Sequence, residues 1–139
     1  MKQLQHSLTL NGRGRGMTNI TRELQHWVSE TEIETGILNL FVQHTSCSLM
    51  IQENADPDVL RDMEAFFLRL VPDGDPMFHH RAEGPDDMPA HIRMALTQVS
   101  LNIPVTGGRL ALGIWQGVFV YEHRQHPMNR RIQLHLLGA

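Results

Sequence analysis

A single cysteine, Cys47, excludes an internal disulfide. No apolar run approaches the roughly 20 residues that span a bilayer, and the start of the chain lacks the basic and apolar segments of a signal peptide. These absences predict a cytoplasmic, reducing address and no membrane partner. Basic residues are not in excess either: 12 Lys and Arg stand against 15 Asp and Glu, a net charge of −3. A protein that binds nucleic acid by neutralising phosphates is thereby disfavoured, although a local basic pocket is still compatible. Internal repeats and low-complexity tracts are also lacking. With 139 residues, 41% of them hydrophobic, the chain has material for one core, so a single domain over 1–139 is expected. What the chain has in plenty is histidine, nine in all.

Leu4, Leu8 and Leu10 share one parity of Lys2 to Leu10, the pattern of a half-buried strand. A glycine-rich stretch follows. Thr18 or Asn19 can then cap a helix whose stripe is Ile20, Leu24, Trp27 and Val28, ending near Thr35-Gly36. Ile37 to Gln43 is nearly all apolar and reads as a central strand covered on both faces. After the polar His44 to Ser48, Leu49-Met50-Ile51 resumes the apolar run. Asp56-Pro57-Asp58 is a helix start, since Asp56 can accept free N–H groups and Pro57 suits the first turn. The helix should reach about Val71, burying Val59, Leu60, Met63, Phe66, Phe67 and Leu70. Pro72 to Pro85 is a long loop, and Asp86 to Ser100 is helical with Pro89 in its first turn. The last forty residues hold short β-rich segments, read most simply as an antiparallel meander. Strands, helices and strands again make an α+β fold. The apolar final strand, with Leu134, Leu136 and Leu137, points to cover by another subunit.

Four places concentrate chemistry. His44-Thr45-Ser46 ends an apolar strand, where an imidazole beside hydroxyls suits a metal ligand or an acid–base group near an anion; a turn with a satisfied histidine explains it as well. Glu53 and Asn54 prolong the next strand where it surfaces, facing ligand or solvent. In the segment from His79-His80 through Glu83 to Asp87 and His91, Asp87 lies one turn before His91 on the same helix face. That spacing fits a carboxylate-supported metal ligand, but no HExxH is present and solvated helix-start acids account for it equally. Trp115-Gln116-Gly117 leads into Glu122-His123-Arg124-Gln125-His126 and Arg130-Arg131. There either arginine can bind phosphate bidentately and Glu122 can move a proton or meet a cation, unless the groups are ion pairs at a hairpin tip. Cys47 reads as a small core residue. The Gly12, Gly14, Gly16 pattern lacks the following helix of a phosphate fingerprint.

Taken together, FVQHTSCSLMIQENADPDVLRDM, EGPDDMPAHI, GGRLALGIWQGVFVYEHR and the Arg130-Arg131 strand resemble the YjbQ family, also labelled the secondary thiamine-phosphate synthase family. The resemblance implies two packed, mainly antiparallel β-sheets with about three helices, assembled as a homotrimer. It implies a polar pocket of His44, Glu53, Asn54, His91 and Glu122. A divalent metal, zinc or magnesium, would be held by His44 and His91, with His80 and then His123 as further ligands. The implied activity joins a pyrimidine pyrophosphate to a thiazole phosphate as a weak or secondary reaction. His44, Glu122 and Glu53 would be catalytic, and Thr45, Asn54, Arg131 and Gln116 would bind substrate phosphate. Departure of pyrophosphate from a benzylic-type carbon needs charge stabilisation and no covalent nucleophile. The chain departs from the commoner pattern at Ser46-Cys47, at Pro85 and in the residues after Glu122. Two rival functions share the pocket: a metal-dependent phosphate-ester hydrolase, and a non-catalytic trimer binding a phosphorylated metabolite or metal.

Overall fold

The computed structural model describes residues Met1–Ala139. In chain order the elements are β1 (Lys2–Leu10), β2 (Gly16–Asn19), α1 (Thr21–Glu30), β3 (Thr35–Val42), β4 (Cys47–Glu53), α2 (Pro57–Leu70), α3 (Asp87–Leu96), β5 (Ser100–Thr106), β6 (Arg109–Leu110), β7 (Gln116–Glu122) and β8 (Arg130–Gly138). They form a five-stranded sheet, β1-β8-β3-β5-β6, and a three-stranded sheet, β2-β7-β4, with every pairing antiparallel. No helix is long and apolar enough to cross a membrane.

Alternation decides which face of the large sheet is core. Leu38, Leu40 and Val42 of β3, Leu101, Ile103 and Val105 of β5, and Ile132, Leu134 and Leu136 of β8 point inward. They meet Leu49, Val118 and Val120 of the small sheet, Ile20 just before α1, and Leu24 and Val28 of α1. The small sheet is covered on its other face too, where Met50, Phe119 and Tyr121 pack under Leu60, Met63 and Phe67 of α2. Strand β3 is indeed central in its sheet, but its burial alternates, and Ile37 and Phe41 are exposed. Two-sided cover belongs instead to β4 and β7, because only the small sheet is sandwiched between the large sheet and a helix.

Other expectations change for local reasons. The N-cap of α1 is Ile20, not Thr18 or Asn19; Asn19 Oδ1 accepts from the Thr21 amide at 3.0 Å, but Asn19 ends the short strand β2, hidden in sequence by the preceding glycines. Helix α1 stops at Glu30, short of Thr35, where the Thr31 hydroxyl donates to the Val28 carbonyl and Glu32 takes a φ of 60° that no α-helix continues through. Asp56 caps α2 as expected, accepting from the Asp58 amide at 2.9 Å. None of the residues of α2 is fully buried, and Phe66 and Leu70 face outward. Helix α3 ends at Leu96, so Ser100 already belongs to β5. The last four strands are not a meander: β7 joins the small sheet between β2 and β4, and β8 inserts between β1 and β3.

Strands β3 and β8 approach closely where Gly36 is paired with Gly138. A Cβ on Gly36 would run into the Leu137 carbonyl oxygen, which is backbone and cannot swing away. Gly36→Ala is therefore expected to lower stability by about 1–3 kcal/mol. A urea midpoint equal to that of the parent protein would show that the two strands part without cost.

Candidate functional site

The two sheets meet at one end, and there the β3–β4 connection carries His44, Thr45 and Ser46 across from one sheet to the other. Glu122 ends β7 opposite Cys47, while Arg130 opens β8 in the other sheet. Their side chains join the sheets. Arg130 donates from Nε to Glu122 Oε1 at 2.6 Å and from Nη2 to Glu122 Oε2 at 2.5 Å, and Nη2 also reaches Ser46 Oγ at 2.9 Å. Both charged groups are buried. Glu122 also accepts from the Arg124 amide at 3.1 Å, so this carboxylate is engaged structurally.

Above this pair lie the first turns of α3 and the loop before it. Asp87 is buried and central. Its Oδ2 faces His80 Nε2 at 2.6 Å and His91 Nε2 at 3.0 Å, and its Oδ1 accepts from Arg124 Nη1 at 2.6 Å. Arg124 is held in this role from three sides, since Nε also binds Asp86 Oδ2 at 3.0 Å and Nη2 the Glu83 carbonyl at 2.9 Å. Burial alone would raise the Asp87 carboxyl, but the His80 hydrogen bond and the Arg124 charge hold it below its ordinary range.

The tautomer of His91 follows from its neighbour. Its Nδ1 lies 2.7 Å from the Thr45 carbonyl, which can only accept, so Nδ1 carries the proton. In the neutral ring the Nε2 lone pair then aims at a carboxylate oxygen, an arrangement that calls for a cation between them, either a proton or a metal. An imidazole whose second nitrogen donates to a backbone carbonyl is the usual orientation of a metal-ligating histidine. The ligand atoms of His80, Asp87 and His91 all lie within 4.8 Å of one another. Two imidazole nitrogens and an ionised carboxylate fit a divalent ion.

His44 has a different part. Its Nε2 accepts from the Arg131 amide at 2.8 Å, which uses the lone pair and leaves Nδ1 as an N–H donor. Burial, and then the charge of Arg130, lower its pKa from the usual value and keep it neutral. His44, expected as a metal ligand, lies beside the His80–Asp87–His91 group and not within it.

Two cavities open here and share Gln43, His44 and Arg130. One, about 340 Å³, is lined also by Thr45, Ser46, Asp87 and His91. The other, about 400 Å³, adds Thr9, Asn129 and Arg131 and has no acidic lining residue. His44, Thr45, His80, His91, Glu122 and Arg131 are therefore brought to one end of the molecule.

Glu53, Asn54 and Gln116 are not. Glu53 pairs with Gln116 six residues along β4 from the Cys47–Glu122 pair, about 20 Å at roughly 3.4 Å per strand residue. There Glu53 Oε2 accepts from the Asp56 amide at 3.2 Å, Asn54 Nδ2 donates to the Ile114 carbonyl at 3.3 Å and Gln116 Oε1 accepts from the Gly113 amide at 2.7 Å. An antiparallel pair places the ends of two motifs together or a full strand apart, and motif order does not say which.

His123 is excluded from the cavity as well, because it follows Glu122 on the opposite face of β7. It is fully buried beside Tyr121, with Nε2 2.9 Å from Ser48 Oγ. Burial, then the charges of Arg93, Arg15 and Arg130, lower its pKa to about 3. Between the ordinary value near 6.5 and about 3 the unfolded chain binds a proton that the folded chain refuses, so stability falls as pH drops through that window. His123→Asn is expected to flatten the slope of unfolding free energy against pH between 6 and 4 by up to one proton, measured by urea titrations across that range. An unaltered slope would mean that His123 takes up its proton while folded.

The family model for UPF0047 protein YjbQ-like matches residues 6–139. The chain belongs to the YjbQ/UPF0047 family. UPF0047 protein sll1880 of Synechocystis sp. is 49% identical over 99% of this chain and 93% of its own length. UPF0047 protein YjbQ of Escherichia coli is 44% identical over 96% of this chain and 97% of its own. Among solved structures, the conserved hypothetical protein TT1486 from Thermus thermophilus is 37% identical, with a TM-score of 0.85 over 95% of this chain and 99% of that one. The hypothetical protein APE1520 from Aeropyrum pernix is 29% identical, with a TM-score of 0.89 over 98% and 99%. The YjbQ-like fold, two antiparallel sheets with three helices, is thus shared along nearly the whole chain.

The sequence marked Arg124 only as a member of a charged run and Asp87 only as a carboxylate supporting His91, yet the two organise this YjbQ-like site. The signal available for Asp87 was its spacing of four from His91. Nothing local marked Arg124, whose partners Asp86 and Asp87 lie 38 and 37 residues away in the chain.

Proposed function

We propose that the end cavity holds a phosphorylated small molecule beside a divalent cation and carries out the thiamine-phosphate-synthase-like transfer that the family resemblance implies, as a secondary activity. The observation supporting this is the convergence of His80, Asp87 and His91 on one point beside the Arg130 guanidinium and the His44 imidazole. His80, Asp87 and His91 would hold the ion. Two imidazoles suit zinc, or a similar late first-row ion, better than magnesium, which prefers oxygen ligands. Once bound, the ion supplies positive charge where pyrophosphate departs.

The chain's own groups do the rest. Arg130, fixed from behind by Glu122 and Ser46, keeps Nη1 for a phosphate oxygen. His44 can donate from Nδ1, the Thr45 hydroxyl lines the same cavity, and Arg131 borders the adjoining one. In the reaction the carbon–pyrophosphate bond breaks as the thiazole nitrogen bonds to that carbon. No enzyme nucleophile is needed, and Cys47, whose thiol burial pushes up to about 12, is not one. Glu122 acts here as a positioning residue for Arg130. Glu53, Asn54 and Gln116 take no part within one chain.

The test is a product assay on protein stripped with a chelator and reloaded with zinc. Reloaded parent protein is expected to form thiamine phosphate, His91→Ala to lose it, and His44→Ala to fall by about tenfold or more, in the range of one general-acid contact. Full turnover in His91→Ala would overturn the assignment. Phosphate release from simple esters without condensation would favour a hydrolase, and tight binding with neither product a binding protein.

Assembly as a homotrimer belongs to the same proposal. The outer face of the large sheet leaves Ile37 52%, Phe41 45% and Leu137 40% exposed, an apolar patch that another copy would cover. Sedimentation equilibrium is expected to give three times the chain mass, and a monomer would refute it.

A further inference from the structure

The widest cavity near a patterned helix face is remote from the histidines. It is a cleft of about 600 Å³ between α1 and the β6–β7 segment, and it shares no lining residue with the two cavities at His44. Arg22, Gln25, His26 and Ser29 recur at three and four residues along α1 and so form one stripe, which faces Arg109 across the cleft. This stripe is polar and basic, the reverse of what a core-facing helix surface carries.

Charge makes the cleft unusual for this chain. The protein is net negative, and Arg15, Arg61, Arg93, Arg124 and Arg130 each meet a carboxylate. Arg22 and Arg109 are among the six arginines that meet none, and they are set apart by lining one cleft that has no acidic lining residue. The nearby Glu30 is taken by His26 at 3.1 Å. Two guanidinium groups converge on one open volume with their charge uncompensated, while the first turn of α1 adds the positive end of its dipole.

The walls are also held in place. Gln25 bridges helix and strand, its Oε1 accepting from the Leu110 amide at 2.9 Å and its Nε2 donating to the Gly108 carbonyl at 3.2 Å. Thr21 Oγ1 accepts from the Val118 amide at 2.8 Å. A cleft whose sides are pinned by hydrogen bonds needs little ordering on binding. Its volume lies within the roughly 300–1,000 Å³ of small-molecule sites, and Leu110 and Leu112 supply an apolar floor for an organic body.

We infer that the α1–β6 cleft is a second ligand site, in which Arg22 and Arg109 together bind a phosphate or pyrophosphate group of a small molecule. Guanidinium forks match phosphate oxygens bidentately, which distinguishes this class from a simple counter-ion cloud. The site is independent of the reading given for the histidine end, because neither residues nor cavity are shared.

The experiment titrates the full chain with inorganic pyrophosphate at low ionic strength, following backbone amide shifts by NMR and affinity by calorimetry. Binding is expected to shift the amides of Arg22, Gly108 and Leu110. Arg22→Ala/Arg109→Ala should weaken this event at least tenfold, and His44→Ala should leave it unchanged. Both arginines are exposed, so the double variant should keep the parent unfolding midpoint and report binding alone. Shifts confined to the His44 and Arg130 region, or an unchanged affinity in the double variant, would overturn the inference. Citrate binding as tightly through the same two arginines would overturn the phosphate class.

Discussion

Asp87→Ala is expected to abolish tight zinc binding and to lower unfolding free energy by about 1–3 kcal/mol, the usual cost of leaving a buried donor without its acceptor. Asp87 is the one group that touches His80, His91 and Arg124 together. Its loss leaves the Arg124 guanidinium with Asp86 and a carbonyl only, and removes the ligand that draws both imidazoles inward. Asp87→Asn separates the two effects. The amide can still accept from Arg124, so most stability should return, while the uncharged side chain should bind zinc at least tenfold more weakly. Denaturant titration gives the first quantity and competition with a chromophoric chelator the second. Zinc affinity in Asp87→Ala equal to that of the parent would dismiss the donor set.

The second large effect concerns Glu122, for which chemistry and architecture predict opposite results. A general acid or base at this position would lose turnover in Glu122→Gln while the fold stayed intact. The structure instead makes Glu122 and Arg130 the tie between the two sheets, with both of their guanidinium–carboxylate contacts buried. Glu122→Gln should therefore cost about 3–5 kcal/mol, because a buried guanidinium is left without its counter-charge. Glu122→Gln/Arg130→Met should recover a large part of that loss, since the orphaned charge is gone as well. Guanidinium titrations of the parent, both single variants and the double variant close the cycle. A single variant with the parent midpoint would remove the structural role and return Glu122 to candidate acid–base duty.

Much of this molecule was readable locally, for reasons its residues make plain. The spacing of Ile20, Leu24 and Val28 expresses a period, and each of these residues is buried as that period requires. Asp56-Pro57 starts a helix through contacts within three residues. Strand β2 escaped because four residues at the end of a glycine-rich stretch hold too little pattern. The swap of β7 into the small sheet escaped because pairing is chosen by partners far away in the chain. Helix α2 was over-read as core, since a stripe of apolar residues says that a face prefers cover and not how much cover there is.

The residue sequence alone determined the α+β class, most of the helices and strands, the family and the histidine-rich composition, because these depend on short-range periodicity, capping and motif order. Tertiary structure alone decided which of the candidate groups meet. Strand register carried Glu53, Asn54 and Gln116 to one end of the small sheet and Glu122 to the other. The crossing from β3 to β4 set His44 beside Arg130, and the packing of α3 brought Asp87 to His80 and Arg124. Contacts between residues tens of positions apart depend on how whole elements pair and pack, and no local pattern of side chains encodes that choice.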